Sequence, residues 1–165
     1  MEWKEKEDVF ARLVTENKGI IYKICRSYCA DASDQEDLAQ EIIYHLWKSF
    51  SGFKPEFKFS TWMYRVALNV AISYYRREKK HQFHQATTDQ LVVFEKSDDD
   101  ETEANLALLQ GFINELKELD RAIILLYLEE KTQKEIADIT GFTETNVATR
   151  INRIKEKLRQ KFTNR

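Results

Sequence analysis

An all-α chain is predicted, and three observations predict it. The 165 residues include only 4 Gly and 1 Pro, too few for a turn-rich all-β protein. Apolar residues recur at helical spacing nearly end to end. Where the periodicity lapses, the residues are polar with a dense acidic run, as in a linker between two helical domains. Apolar runs stay short of the roughly 18 residues that a membrane span needs. The opening Met1-Glu2-Trp3-Lys4-Glu5-Lys6 has no signal-peptide core, so a cytoplasmic protein is expected.

Val9, Phe10, Leu13 and Val14 form a first helical stripe, which Ile20, Ile21, Ile24, Cys25 and Tyr28 continue. Gly19 is expected to kink or divide this helix. Cys25 and Cys29 lie four apart; His81 and His84 are the nearest further ligands by type, no zinc spacing is complete, and buried free thiols are expected rather than a metal site.

Asp34 to Glu41 opens the next helix, with acids suited to a helix N-terminus. Leu38, Ile42, Ile43, Leu46 and Trp47 are its inward stripe, whereas Asp37, Gln40, Glu41 and Tyr44 share the outer face. That strip is longer than capping requires. It suits either solvent or a basic protein partner.

Residues 51–59 form a loop holding the single Pro and the aromatics Phe53, Phe57 and Phe59. Exposing all three rings is costly, so they either pack or receive something flat. Ser60 is placed to cap the helix that follows. Trp62, Met63, Val66, Ala67, Val70 and Tyr74 look inward; Arg65, Asn69, Ser73, Arg76 and Lys80 share another face, flanked by Tyr64, Tyr75 and Arg77. Cations for phosphates beside rings for unpaired bases suit single-stranded nucleic acid; the plainer reading is an amphipathic helix with a basic tail.

Residues 83–104 read as a linker, with the acidic run Asp98-Asp99-Asp100-Glu101. The aperiodic stretch from His81 to Glu103, about 23 residues, reaches at most about 75–80 Å, and two turns of duplex measure about 70 Å, so two domains could straddle two sites on one DNA face. Leu106, Leu109, Phe112, Ile113, Leu116 and Leu119 open the second domain, and a further helix is expected to start at Asp120, with Ile123, Ile124, Leu126 and Tyr127 as its apolar set.

Thr132 with Glu135 marks a capping box, Gly141 a helix end and Thr143 the next cap. Val147, Ile151, Ile154 and Leu158 make one stripe of the last helix; beside it lie Asn146, Ala148, Thr149, Arg150, Asn152 and Arg153. Short polar groups and arginines on a second helix after a tight turn describe a DNA-reading helix-turn-helix, or else a helical hairpin with a solvated basic face. The net charge of −2 is segregated into basic and acidic clusters, and local patches govern contacts within a Debye length of roughly 8–10 Å.

Two stretches carry a family resemblance. Asp37-Leu38-Ala39-Gln40-Glu41-Ile42-Ile43 with Leu46-Trp47, followed by the run from Phe59-Ser60-Thr61-Trp62 to Tyr74-Tyr75-Arg76-Arg77, closely resembles region 2 of bacterial sigma factors of the extracytoplasmic-function (ECF) group. The C-terminal helix-turn-helix resembles region 4 of the same group. The resemblance covers about residues 7–80 and 106–162, in the family's order and spacing. It implies a region 2 bundle at 1–82 and a region 4 helix-turn-helix at 105–165, joined by a flexible acidic linker. It also implies a protein that binds core RNA polymerase, through its clamp helices and flap, and directs it to promoter DNA. Asp37, Gln40 and Glu41, with Tyr44 beside them, fall on the motif that docks the clamp helices. Asn69 and the loop bearing Phe53, Lys54 and Phe57 fall where the −10 element is read as a melted strand, with Arg65, Tyr75, Arg76 and Arg77 as backbone and stacking support. Ala148, Thr149, Asn152 and Arg153 fall on −35 base contacts, Arg150 on a phosphate contact, and Asn146 on either. Many relatives carry a basic residue at the Ala148 position and a larger ring near Asn152, so the −35 sequence is not transferable.

The resemblance further implies an anti-sigma factor partner, often membrane-anchored in the family. No regulatory domain is expected after the recognition helix, since the sequence ends soon beyond it. No Gly-rich phosphate loop, metal quartet or nucleophile with a partnered base is present in the sequence. A non-enzymatic protein with no cofactor, no metal and no small-molecule substrate is expected. Two other readings compete: a stand-alone helix-turn-helix regulator, and a helical adaptor that binds only protein.

Overall fold

The structure is a computed structural model that describes residues 3–82 and 100–163. The described residues form helices joined by turns. They fall in two compact units, each described by itself.

The first unit comprises α1 (Trp3–Glu16), α2 (Lys18–Tyr28), α3 (Ala32–Ser49), a 3-10 turn at Phe50–Gly52 and α4 (Phe59–Gln82). The break between α1 and α2 falls at Asn17, not at Gly19. The Asn17 side-chain amide donates to the Leu13 carbonyl at 2.8 Å, sharing that acceptor with the Asn17 backbone N–H at 3.2 Å, so a side chain that competes with the backbone sits at the helix end. Asp31 caps α3 by accepting from the Ser33 amide at 3.0 Å.

The core lies where α2, α3 and α4 meet. Ile24, Leu38, Ile42, Leu46 and Met63 are essentially fully buried, and Ala67 and Ala71 on α4 leave room for the other helices to approach closely. Two expected inward residues differ. Ile43 is exposed, and Trp47 is half-buried, its ring against Phe10 at 5.0 Å and Trp3 at 5.8 Å. They lie beyond the arc of α3 that Leu38, Ile42 and Leu46 already fill. Cys25 is buried within α2, and Cys29 is buried just past its end in extended conformation.

The second unit comprises α5 (Asp100–Glu115), α6 (Glu118–Leu128), α7 (Gln133–Thr140) and α8 (Glu144–Thr163). Residues 100–104, expected in the linker, open α5, because acids that repel one another in a coil are favoured at a helix N-terminus. The remainder of the expected linker, 83–99, lies outside the described residues, as does His84. α6 starts at Glu118, ahead of the expected Asp120, with both acids in its first turn.

Phe112, Ile113, Leu116, Ile124 and Ile154 form the core between α5, α6 and α8, with Leu109 and Leu158 packed against it. Thr132 Oγ1 accepts from the Glu135 amide at 3.1 Å, and Thr143 Oγ1 from the Asn146 amide at 3.1 Å. Gly141 ends α7 with φ of 84°, which a side chain would strain. Caps and glycine together fix the α7–turn–α8 geometry.

Candidate nucleic-acid and protein interfaces

On α3, Asp37, Gln40 and Tyr44 are exposed and Glu41 is half-buried, so this strip is presented as its spacing predicts. It is strongly electronegative. Desolvation, followed by the carboxylates of Asp31, Glu78 and Asp37, pushes the Asp34 carboxyl above its ordinary range. Glu41 is engaged within the unit: both of its oxygens accept from Arg77 Nη2 of α4, at 2.7 and 2.9 Å. The pair joins a residue expected to meet protein with one expected to meet DNA. The sequence gives no sign of it, because the two lie 36 positions apart.

On α4, Arg65, Asn69, Ser73, Arg76 and Lys80 are exposed along one face. Tyr75 is half-buried, edge-on to Tyr28 at 6.1 Å with Lys79 5.9 Å from its centroid, so only part of its ring is available for stacking. The 51–59 loop divides its aromatics. Phe53 stacks on Phe50 at 6.1 Å and also meets Phe59 and Trp62, at 5.4 and 5.3 Å. Phe53 is therefore a half-buried wall of an aromatic cluster, the packing alternative expected for this loop. Phe57 is 63% exposed, and Lys54 is exposed beside it. Ser60 does not cap α4, which begins one residue earlier; its hydroxyl is buried with no partner among the described residues. Phe59 and Trp62, named in the sequence only as a loop ring and an inward residue, complete this cluster; their three-residue spacing was the available signal of the contact.

On α8, Asn146, Thr149, Asn152 and Arg153 are exposed and Ala148 is half-exposed. Thr149 Oγ1 donates to the Thr145 carbonyl at 3.0 Å, so its hydroxyl meets a ligand chiefly as an acceptor. Arg150, expected as a phosphate contact, is engaged within the unit. Its Nη1 donates to Asp120 of α6 at 2.9 Å, its Nε donates to Asn146 Oδ1 at 2.8 Å, and its guanidinium lies 4.5 Å from the Phe142 ring centroid. Asp120 and Phe142 are further residues the sequence did not expose. An acid in a first turn reads as ordinary dipole compensation, and Phe142 reads as turn packing.

Beside this face runs a groove of about 890 Å³ between α5, the start of α6 and α8. Glu115, Glu118 and Asp120 face it from one side, and Arg153, Lys157 and Lys161 from the other, with an ion pair between Lys161 and Glu115. It is therefore a groove of mixed charge.

Comparison with known proteins agrees with the two units. Residues 13–81 match the family model described as sigma-70 region 2, and residues 106–158 match the one described as sigma-70, region 4. The chain is 31% identical over 171 residues to the ECF RNA polymerase sigma factor SigW of Bacillus subtilis, covering 96% of this chain and 91% of that protein. It is 28% identical to the RNA polymerase sigma factor SigV of the same organism, covering 97% of this chain and 96% of that protein. Two solved structures share the fold. CnrH, in complex with the cytosolic domain of CnrY, has a TM-score of 0.69 at 22% identity, covering 96% of this chain and 90% of that one. RpoE, in complex with the anti-sigma factor NepR from Bartonella quintana, has a TM-score of 0.72 at 16% identity, covering 97% and 98%.

Proposed function

The chain belongs to the ECF RNA polymerase sigma factors, and from that premise we propose how its residues divide the work of directing core polymerase to a promoter. The α3 strip of Asp37, Gln40, Glu41 and Tyr44 docks the polymerase clamp helices. Crowded carboxylates suit a basic partner, and a partly buried charge-assisted contact there is costly to truncate. The exposed face of α4, with Arg65, Asn69 and Arg76, holds the melted −10 strand. Phe57 and Lys54 stand at its edge, and the Phe53–Phe59–Trp62 cluster supports the loop. Rings and cations of this kind offset the few kcal/mol needed to unstack a base. The exposed residues of α8 read the −35 duplex, Asn152 and Arg153 as base contacts. Strand opening uses binding energy.

The observation that carries this reading is the pairing, in one chain, of a unit with an acidic strip and an aromatic–cationic face and a unit with a capped helix-turn-helix. A stand-alone regulator leaves the first unit without a task. As RpoE is bound by the anti-sigma factor NepR in its solved complex, an anti-sigma protein is an expected partner, and binding to polymerase implies a cytoplasmic protein. Among the described residues no helix is long and apolar enough to cross a membrane. The test is transcription in vitro by purified core polymerase on a genomic promoter library. Promoter-specific transcripts that depend on this protein support the reading, and a specific duplex complex without polymerase, with no such transcripts, refutes it.

A further inference from the structure

Arg150 sits in the middle of the proposed −35 face, yet its Nη1 is directed inward. Asp120 on α6 holds Nη1 at 2.9 Å, with the two side chains only 26% and 15% exposed, and the Phe142 ring lies against the guanidinium. The ion pair offsets charge that would otherwise attract a phosphate. The remaining described contact is Nε to Asn146 Oδ1, at 2.8 Å along the helix. An arginine nitrogen only donates, so the amide atom that meets it has to be the oxygen. The amide of Asn146 is thereby fixed in one of its two orientations, with Nδ2 and its two protons turned away from Arg150. Asn146 is exposed in the first turn of α8, and the N-terminal residues of a recognition helix are those that meet base edges.

We propose that Asp120 and Arg150 are positioning residues for promoter readout, acting as a relay that fixes the Asn146 amide so that it presents donors to the −35 duplex. This rests on the −35 reading of α8 given above. In the major groove adenine, guanine and thymine each present an acceptor, whereas cytosine presents only its N4 donor. Asn146 therefore discriminates against cytosine at the one position it reads. That discrimination depends on Asp120, a residue on another helix that itself touches no base. Arg150 adds no phosphate contact of its own.

The test uses holoenzyme reconstituted with core polymerase and a promoter library randomised through the −35 element. Asn146→Ala first identifies the position read. Wild-type protein is expected to reject cytosine there, and Arg150→Met to relax that rejection by about ten-fold. The slope of log affinity against log salt is expected to be unchanged in Arg150→Met. Asp120→Ala, which releases the guanidinium, is expected to relax the same position and steepen the slope by about 1, as one more phosphate is neutralised. Thermal melts of each variant separate these effects from unfolding. The proposal is overturned if wild-type protein tolerates cytosine at the Asn146 position. It is equally overturned if Arg150→Met weakens all promoters uniformly and makes the slope shallower by about 1, which marks Arg150 as a phosphate contact. Loss of all promoter-specific transcription by wild-type holoenzyme is a different failure, that of the −35 reading itself.

Discussion

Buried residues of unexpected type govern the smallest scale. Arg121 is 3% exposed, and its Nη2 donates to the carbonyls of Asn114 and Leu116 at 2.7 and 3.2 Å. These carbonyls end α5, where the helix has no further amides to offer. Arg121→Met keeps much of the stem and removes the donors, and it is expected to destabilise the second unit by about 2–3 kcal/mol in urea unfolding followed by circular dichroism. Cys25 and Cys29 make a second case. Burial pushes the Cys25 thiol from 9.0 up to about 11, and burial followed by neighbouring negative groups pushes Cys29 up to about 12. Both stay protonated in the folded state while the unfolded chain already ionises, so their contribution is complete below pH 9 and declines as pH climbs toward 11–12. Denaturation midpoints should fall across that window in wild type and fall less in a Cys25→Ala, Cys29→Ala double variant.

Caps and inter-helix pairs act at the level of the element. The hydroxyls of Thr132 and Thr143 each satisfy one amide at the start of α7 and α8. Replacing either by Ala is expected to cost about 1 kcal/mol, visible as a lowered thermal midpoint, and the two losses should add to within ~0.5 kcal/mol, since each cap serves its own helix. The Glu41–Arg77 pair links α3 to α4 across a mostly solvated surface, with the Arg77 side chain 57% exposed. A double-mutant cycle on stability is expected to give a coupling of about 0.2–1 kcal/mol, the range of screened pairs. In the proposed docking to polymerase, a partner cation that reaches Glu41 would share the carboxylate with Arg77.

For the molecule as a whole, polymerase capture and promoter reading should separate by mutation. Glu41→Lys is expected to abolish capture by core polymerase in a pull-down, with circular dichroism unchanged. Arg153→Ala should leave capture intact, cost about 1–3 kcal/mol on the preferred promoter and relax one −35 position. The all-α class, the helix-turn-helix and the exposed faces of α3 and α4 were legible in the amino-acid sequence. Apolar periodicity, capping hydroxyls and a left-handed glycine act between residues at most about four positions apart, so a linear reading contains them. Asp37 and Gln40 on α3, Asn69 on α4 and Asn152 on α8 came to the surface for that reason. Only the tertiary structure decided which predicted groups were already engaged. Arg150 met Asp120 across 30 positions, Arg77 met Glu41 across 36, and Phe53 turned into an aromatic cluster while Phe57 stayed out. Such choices arise when distant stretches of chain pack together, and local spacing carries no record of which side chains will then lie within hydrogen-bonding or ring-contact distance.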